Sequence, residues 1–183
     1  MTAAAAAASP LAPATLGRAL AAFRIYAGVV LFANGLSKLL DFRTIEIGPY
    51  KSTLIDRAEA RSILDFETNR RGGNGTDVPL LKDLVNDVIL PSWDVFQWLV
   101  TALELGAGAA LILGIASRGA ALAAFGQQFF LQLVYLSSAR WAFEQPHEWV
   151  PLLILALVPA GRFWGLDRRL IGHGWRRFDH WPF

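Results

Sequence analysis

The sequence predicts an all-α protein: a four-helix transmembrane bundle with a long extracytoplasmic loop that contains an amphipathic helix. Three observations predict it. The apolar residues cluster into four runs, each close to the roughly 20 residues a helix needs to cross a hydrocarbon core about 30 Å thick. Charge is scarce: 54% of the 183 residues are hydrophobic and 17% charged, against about 45–50% and roughly a quarter in a soluble domain, and mean hydropathy is +0.38. Trp93, Trp98, Trp141, Trp149 and Trp164 fall near the ends of the runs, where aromatic belts form.

The same composition excludes a disordered chain and argues against a water-soluble globule. No self-similar period of roughly twenty to fifty residues marks a repeat protein, and no nucleic-acid motif is present. With no cysteine, the chain alone can form no disulfide, thiol redox centre, thiolate zinc site or cysteine-ligated iron–sulfur cluster.

Residues 1–15 are alanine-rich with two prolines and no charged side chain. No basic residue precedes the apolar run, so they read as a disordered tail rather than a signal peptide. The membrane domain covers residues 16–170. Its first span, 16–36, has Arg18 at the entrance and Arg24 and Asn34 as polar interruptions. The second, 93–115, holds Glu104 as its only interior charge, and the third, 119–138, has none but contains Gln127, Gln128 and Gln132. A soluble bundle helix would carry a charged face, which the third run lacks on every side. The fourth, 147–164, is short. Pro151 suits its first turn, and Pro159 should bend or end it.

The loop 37–92 is too long for a simple connection. Its part 79–90 alternates as an amphipathic helix, with Leu80, Leu81, Leu84, Val85, Val88 and Ile89 on one face, Pro79 in the first turn and Pro91 at the stop. It is expected on the membrane surface or capping the bundle. Arg71-Gly-Gly-Asn-Gly75 lacks the lysine-serine pair of a phosphate loop and reads as a linker; Asn74-Gly75-Thr76 spells a glycosylation sequon without other support. Residues 171–183 form a basic, aromatic tail suited to anionic headgroups. Arginines near span ends (Arg18, Arg118, Arg162, Arg168, Arg169) place both termini in the cytoplasm, because basic residues in the long opposite loop weigh less.

An ionisable group at bilayer depth costs at least about 2.5–3.5 kcal/mol, so each needs a partner or a task. Glu104 shares a stripe with Gln97, Thr101 and Gly108. Because the first two spans run antiparallel, Arg24 and Glu104 differ by about three residues in depth, on the order of 5 Å. An Arg24–Glu104 ion pair inside the bundle is therefore expected. It would either lock the helices or hold a proton-accepting carboxylate beside a quinone or other polar headgroup. Gln128, Gln132 and Tyr135 form a second polar line suited to interhelical hydrogen bonds, and Gly106, Ala110 and Gly114 a small-residue series suited to close contact.

A further cluster gathers at the opposite membrane surface. Asn34 and Lys38 lie one turn apart, and Arg140, Glu144, His147 and Glu148 bracket the start of the fourth span beside Trp141 and Trp149. Asn34, Lys38, His147, Glu148 and Trp149 are the candidate quinone or headgroup site, since a carboxylate and an imidazole can accept a quinol's protons. Ordinary interfacial charge is the alternative. A second axial ligand for haem is absent at His147's depth, and His173 and His180 sit in the tail, so no metal site is expected.

The run Arg24-Ile-Tyr-Ala-Gly-Val-Val-Leu-Phe-Ala-Asn-Gly-Leu-Ser-Lys38 resembles the opening helix of the DoxX/DoxD-like membrane proteins. Glu104-Leu-Gly-Ala-Gly…Leu-Ile-Leu-Gly114…Arg118 is similar to their second helix and turn. His147-Glu148-Trp149 and Ala160-Gly-Arg-Phe-Trp-Gly-Leu-Asp167 are similar to their fourth helix and exit. The long loop resembles the DoxD branch, the membrane subunit of thiosulfate:quinone oxidoreductase. The resemblance implies a bacterial or archaeal inner-membrane subunit of a quinone-linked oxidoreductase complex, with the matching positions Arg24, Asn34, Lys38, Glu104, Arg118 and Glu148. Quinone is then the expected cofactor, with none bound covalently, and the bilayer and other protein subunits the expected partners. A non-catalytic accessory subunit of a larger redox or energy-converting complex is the alternative, and a small-solute transporter without an inverted repeat is the third. Whether the chain itself turns over a substrate stays open.

Overall fold

The computed structural model describes residues 13–70, 76–139, 141–172 and 182. The alanine-rich start, the linker 71–75, Arg140 and the tail from His173 (Pro182 apart) lie outside the described residues.

The first apolar run forms α1, Pro13–Leu40. It has 28 residues, about 42 Å at 1.5 Å per residue, and passes the expected end at residue 36 by one turn. Asp41, at a positive φ of 56°, ends it, and the Ser37 hydroxyl donates to the Phe42 carbonyl just beyond.

The long loop holds more structure than the sequence reading anticipates. Strands β1 (Thr44–Ile47) and β2 (Tyr50–Thr53) pair as an antiparallel hairpin, Thr44 opposite Thr53 and Ile47 opposite Tyr50. Gly48, with φ of +58°, begins the two-residue turn; this positive φ is the backbone that such tight hairpin turns require. Helix α2, Arg57–Asn69, follows. Its start is a capping arrangement visible in retrospect as Asp56-x-x-Glu59: the Asp56 carboxylate accepts from the Glu59 amide at 2.8 Å.

The amphipathic segment is helical as expected, but it divides into α3 (Pro79–Asp83) and a π-helical stretch, Leu84–Ile89. Only Leu81, Val85 and Ile89, each four residues from the next, are buried; Leu80 is 84% exposed, and Leu84 and Val88 also face outward. The expected six-residue face is thus a three-residue stripe. One ridge of the segment reaches α2 and the ends of the long helices, where Leu64, Leu81, Val85, Ile89, Trp93 and Val134 form a core of their own.

Helix α4 is Trp93–Leu113, ended by Gly114 in the left-handed conformation (φ +67°), and α5 is Ser117–Val134. Helix α6 is shorter than the fourth apolar run. It spans Pro146–Leu157, 12 residues or about 18 Å, with Val158 extended before Pro159. The chain then makes a 3₁₀ turn, Ala160–Arg162, and a last helix, α7, Asp167–Gly172. Helices α1 (over Ala14–Leu40) and α4 are long and apolar enough to cross a membrane; α6 is apolar but shorter.

Helix α1 lies antiparallel along α4, α4 touches α5, and α5 pairs with α6. Leu31, Ala107, Leu111, Ala121, Leu152 and Leu155 meet in the central core. The α1–α4 register depends on glycines. A Cβ on Gly28 would stand 2.8 Å from the Ile112 amide nitrogen, one on Gly108 would stand 2.6 Å from that of Phe32, and Gly35 abuts Leu105. Gly106, expected in the contact series, faces open space, so the seam passes through Gly108 instead. Gly108→Ala should accordingly destabilise by about 1–3 kcal/mol through forced separation of the two backbones. Gly106→Ala should stay within about 0.5 kcal/mol, or gain slightly from helix propensity. Chemical or thermal unfolding of the two variants in detergent checks the pair, and equal losses would show that Gly108 sets no register.

Candidate functional site

Lys38 stands in the last turn of α1 and Glu104 at the middle of α4, and the glycine seam brings them level. Lys38 Nζ lies 2.9 Å from Glu104 Oε2, with the residues 3% and 4% exposed. The contact is an ion pair without the alignment of a hydrogen bond to Oε2. Glu104 Oε1 accepts from Gln127 Nε2 on α5 at 2.8 Å. A buried carboxylate thus has a counter-charge from one helix and an amide donor from another, the condition for keeping it charged away from water.

This replaces the expected Arg24–Glu104 pair. The depth estimate aligned the ends of the two apolar runs, whereas the helices align at Gly28 and Gly108. That register sets Arg24 beside Gly114, where a Cβ would lie 2.5 Å from Arg24 Nη1. Gly114 is ten residues beyond Glu104, about 15 Å along α4. Arg24 is fully buried there, and its guanidinium donates to the carbonyls of Ala160 (2.9 Å), Phe163 (3.3 Å) and Trp164 (3.3 Å). Asp167 completes this knot. Its carboxylate accepts from the Ala116 and Ser117 amides (2.8 and 3.2 Å) and the Ser117 hydroxyl (2.9 Å), capping α5. Arg118 Nε donates to the Ala156 carbonyl near the end of α6. Arg24, Arg118 and Asp167 therefore close the helix ends, and they do not border the cavity.

The cavity lies at the Lys38–Glu104 end. Its volume is about 580 Å³, in the ordinary range of about 300–1,000 Å³ for small-molecule sites. Phe23, Tyr26, Trp93, Phe96 and Phe130 give it aromatic walls, and Ile63 and Leu64 of α2 close one side. The sequence-predicted residues Asn34, Lys38, His147 and Glu148 all border it, together with Glu104. Two clusters expected at different depths are therefore one site. Asn34 Nδ2 donates to the Val30 carbonyl (3.2 Å), leaving its oxygen available. His147 Nδ1 lies 3.1 Å from the Phe143 carbonyl, which can only accept, so Nδ1 carries a proton. His147 and Glu148 stand at the exposed rim.

Trp149 does not border the cavity. Its Nε1 donates to Gln132 Oε1 at 3.1 Å, and its ring meets Phe125 and Phe129 edge-on, centroids 6.0 and 5.5 Å away. This contact divides the expected polar line of α5: Gln132 turns toward α6, while Gln128 and Tyr135 border the cavity. Thr101 donates to its own helix, to the Gln97 carbonyl (2.6 Å), and takes no part. The sequence reading missed Gln127 and Gln145 as site residues. Both carry, like Gln128, an amide oxygen that is buried without a hydrogen-bond partner. Gln127's orientation is settled, because only its nitrogen can face the Glu104 carboxylate. Among the described residues no group of three or more His, Cys, Asp or Glu could hold a metal ion.

No protein-family model matches the chain, and neither a curated protein nor a solved structure does.

Proposed function

We propose that the chain is a four-helix, multi-pass inner-membrane protein of the DoxX/DoxD-like kind, and that its cavity takes the head of a quinone as part of a quinone-linked oxidoreductase complex. The observation that carries the reading is the cavity itself: aromatic walls around a buried ion pair and unpaired amides, as an amphiphile with a flat polar head needs. Polarity across the bundle supports a lipid setting. Arg24, Lys38, Glu104 and Asp167 are buried, while Val29, Leu99, Phe129 and Leu157 of α1, α4, α5 and α6 point outward. Such an inverted surface suits acyl chains, which solvate apolar side chains and leave charges to find one another inside. In this reading α5 and α6 are the third and fourth spans, the turns flanking α6 extending its 12 residues. Both termini face the cytoplasm and the cavity faces the outer leaflet. Because a chain without cysteine cannot form a persulfide with a sulfur substrate, electrons would come through a partner subunit or pass directly to the bound quinone.

Saturable binding of decylubiquinone by the protein purified in mild detergent is the expected result. Ala60→Trp, which fills the cavity from α2, should weaken that binding at least tenfold while the fold is kept. Absence of saturable binding in the native complex overturns the reading. The accessory-subunit alternative draws on one observation, the hairpin tip, where Ile47 and Tyr50 are 70% and 60% exposed. A stoichiometric partner lost on Ile47→Ser and Tyr50→Ser, with no quinone bound, would favour it.

A further inference from the structure

The cavity is long, and its polarity is one-sided. On α1 it is lined by Phe23, Tyr26, Ala27, Val30, Asn34 and Lys38. These positions recur at spacings of three and four residues and share one helix face, covering about 22 Å at 1.5 Å per residue. The ionic and amide groups of the lining gather at one end. Asn34 and Lys38 stand there, Glu104 and Gln127 are level with Lys38, and His147 and Glu148 come from the start of α6. From Val30 toward the start of α1, the wall is apolar apart from the Tyr26 hydroxyl. That stretch is also uncovered: Tyr26 is 66%, Val30 43% and Phe23 37% exposed, although each borders the cavity. Wall residues that are themselves exposed mark a mouth. The cavity therefore opens sideways along α1, on a face other than the one through which Gly28 and Gly35 meet α4. Pro151 and Leu152 of α6 line it from the other helix pair.

From this arrangement we infer that the apolar part of the cavity is a tail groove: the quinone's long apolar chain lies along α1 past Val30 and Tyr26 and leaves between α1 and α6 into the hydrocarbon. The inference rests on the quinone reading above and gives that ligand an orientation and a route of entry. The groove is continuous with the polar end, so one molecule can occupy both, its head beside Lys38 and Glu104. The mouth lies near the middle of α1, where acyl chains surround a membrane-spanning helix. Helix α2 closes one side of the cavity, so the sideways opening is the path on which a chain never meets water. Moving a tail from lipid into the groove changes its surroundings little, because both are apolar. The groove thus fixes where the tail goes, and blocking it acts by steric overlap on tailed ligands alone.

Equilibrium binding of decylubiquinone and of its tailless head, dimethoxymethylbenzoquinone, to the full chain in nanodiscs of fixed lipid composition tests this. Val30→Trp sets an indole in the groove. It should weaken decylubiquinone binding at least tenfold and leave the affinity for the tailless head unchanged. Val29→Trp adds the same bulk at an α1 position that is exposed and does not border the cavity, and should change neither affinity. In the unsubstituted chain, a decylubiquinone carrying a diazirine at the far end of its tail should label α1 within residues 23–30. Unchanged decylubiquinone binding in Val30→Trp, an equal loss of both ligands, or labelling confined to α2 would overturn the tail path while sparing the quinone reading. Failure of both ligands to bind the unsubstituted chain would overturn the reading and the path together.

Discussion

Lys38→Met should destabilise the folded protein by about 3–5 kcal/mol, the usual consequence of removing one partner from a buried ion pair. The cost arises from what remains rather than from the attraction lost. Glu104 is 4% exposed and would keep a single amide donor, Gln127, against a full charge. Glu104→Gln should cost a similar amount by stranding the Lys38 ammonium. The double variant Lys38→Met, Glu104→Gln removes both charges and still offers Gln127 an oxygen acceptor, so it should recover most of the loss. Denaturation in a mixed-micelle titration, run as a double-mutant cycle, measures the coupling. Strict additivity of the two single losses would mean that the groups do not interact.

Arg24→Met should be comparably severe, with a loss of roughly 3–5 kcal/mol and a different local signature. Hydrogen bonds from a charged donor contribute about 1.5–3 kcal/mol each, and Arg24 makes three to carbonyls of one short segment. Without it, Phe163 and Trp164 present unpaired carbonyls, and Ala160 keeps only the Phe163 amide, where α6 gives way to the exit turn. Hydrogen exchange should therefore accelerate first around residues 158–166, while the cavity end keeps its protection. Combined with Glu104→Gln, the Arg24→Met loss should add within about 0.3–0.5 kcal/mol, because the two sites are about 15 Å apart along the bundle and share no partner. Coupling above 1 kcal/mol between them would restore the ion pair that the sequence alone suggests and would contradict the register described here.

Much of the local structure was legible. Pro79 opens its helix and Pro159 prevents α6 from continuing, as expected, whereas Pro146 rather than Pro151 occupies the first turn of α6, Pro151 lies inside it, and Gly114 ends α4 instead of serving only a contact series. The hairpin was missed although Gly48-Pro49 is a turn signal and Thr44-Ile-Glu-Ile47 alternates, because each strand is only four residues long and most of its side chains stay exposed. Helix α2 was missed for a similar reason: the Asp56-x-x-Glu59 cap precedes residues in which only Leu64, Glu67 and Thr68 become buried. A helix that buries so narrow a strip has little apolar periodicity to display.

The site was half legible. Asn34, Lys38, Glu104, His147 and Glu148 stand out as polar residues in or beside apolar runs, and all five border one cavity. Their grouping was not readable. A single turn of helix carries a side chain from one neighbour to another, so Gln128 borders the cavity while Gln132, four residues on, bonds Trp149. Estimating depth from the ends of apolar runs fails for the same reason: side chains stop being apolar several residues before the helix stops.

What the sequence determined by itself depends on neighbours along the chain: a mostly helical polypeptide, the long apolar runs that become α1 and α4, some of the places where helices begin and end, and an inventory of charges that must find company. Only the tertiary structure decided which charges meet. That choice depends on how close two backbones can come, and the absent side chains of Gly28 and Gly108 let α1 and α4 lock in the one register that gives Glu104 to Lys38 and leaves Arg24 to the exit carbonyls.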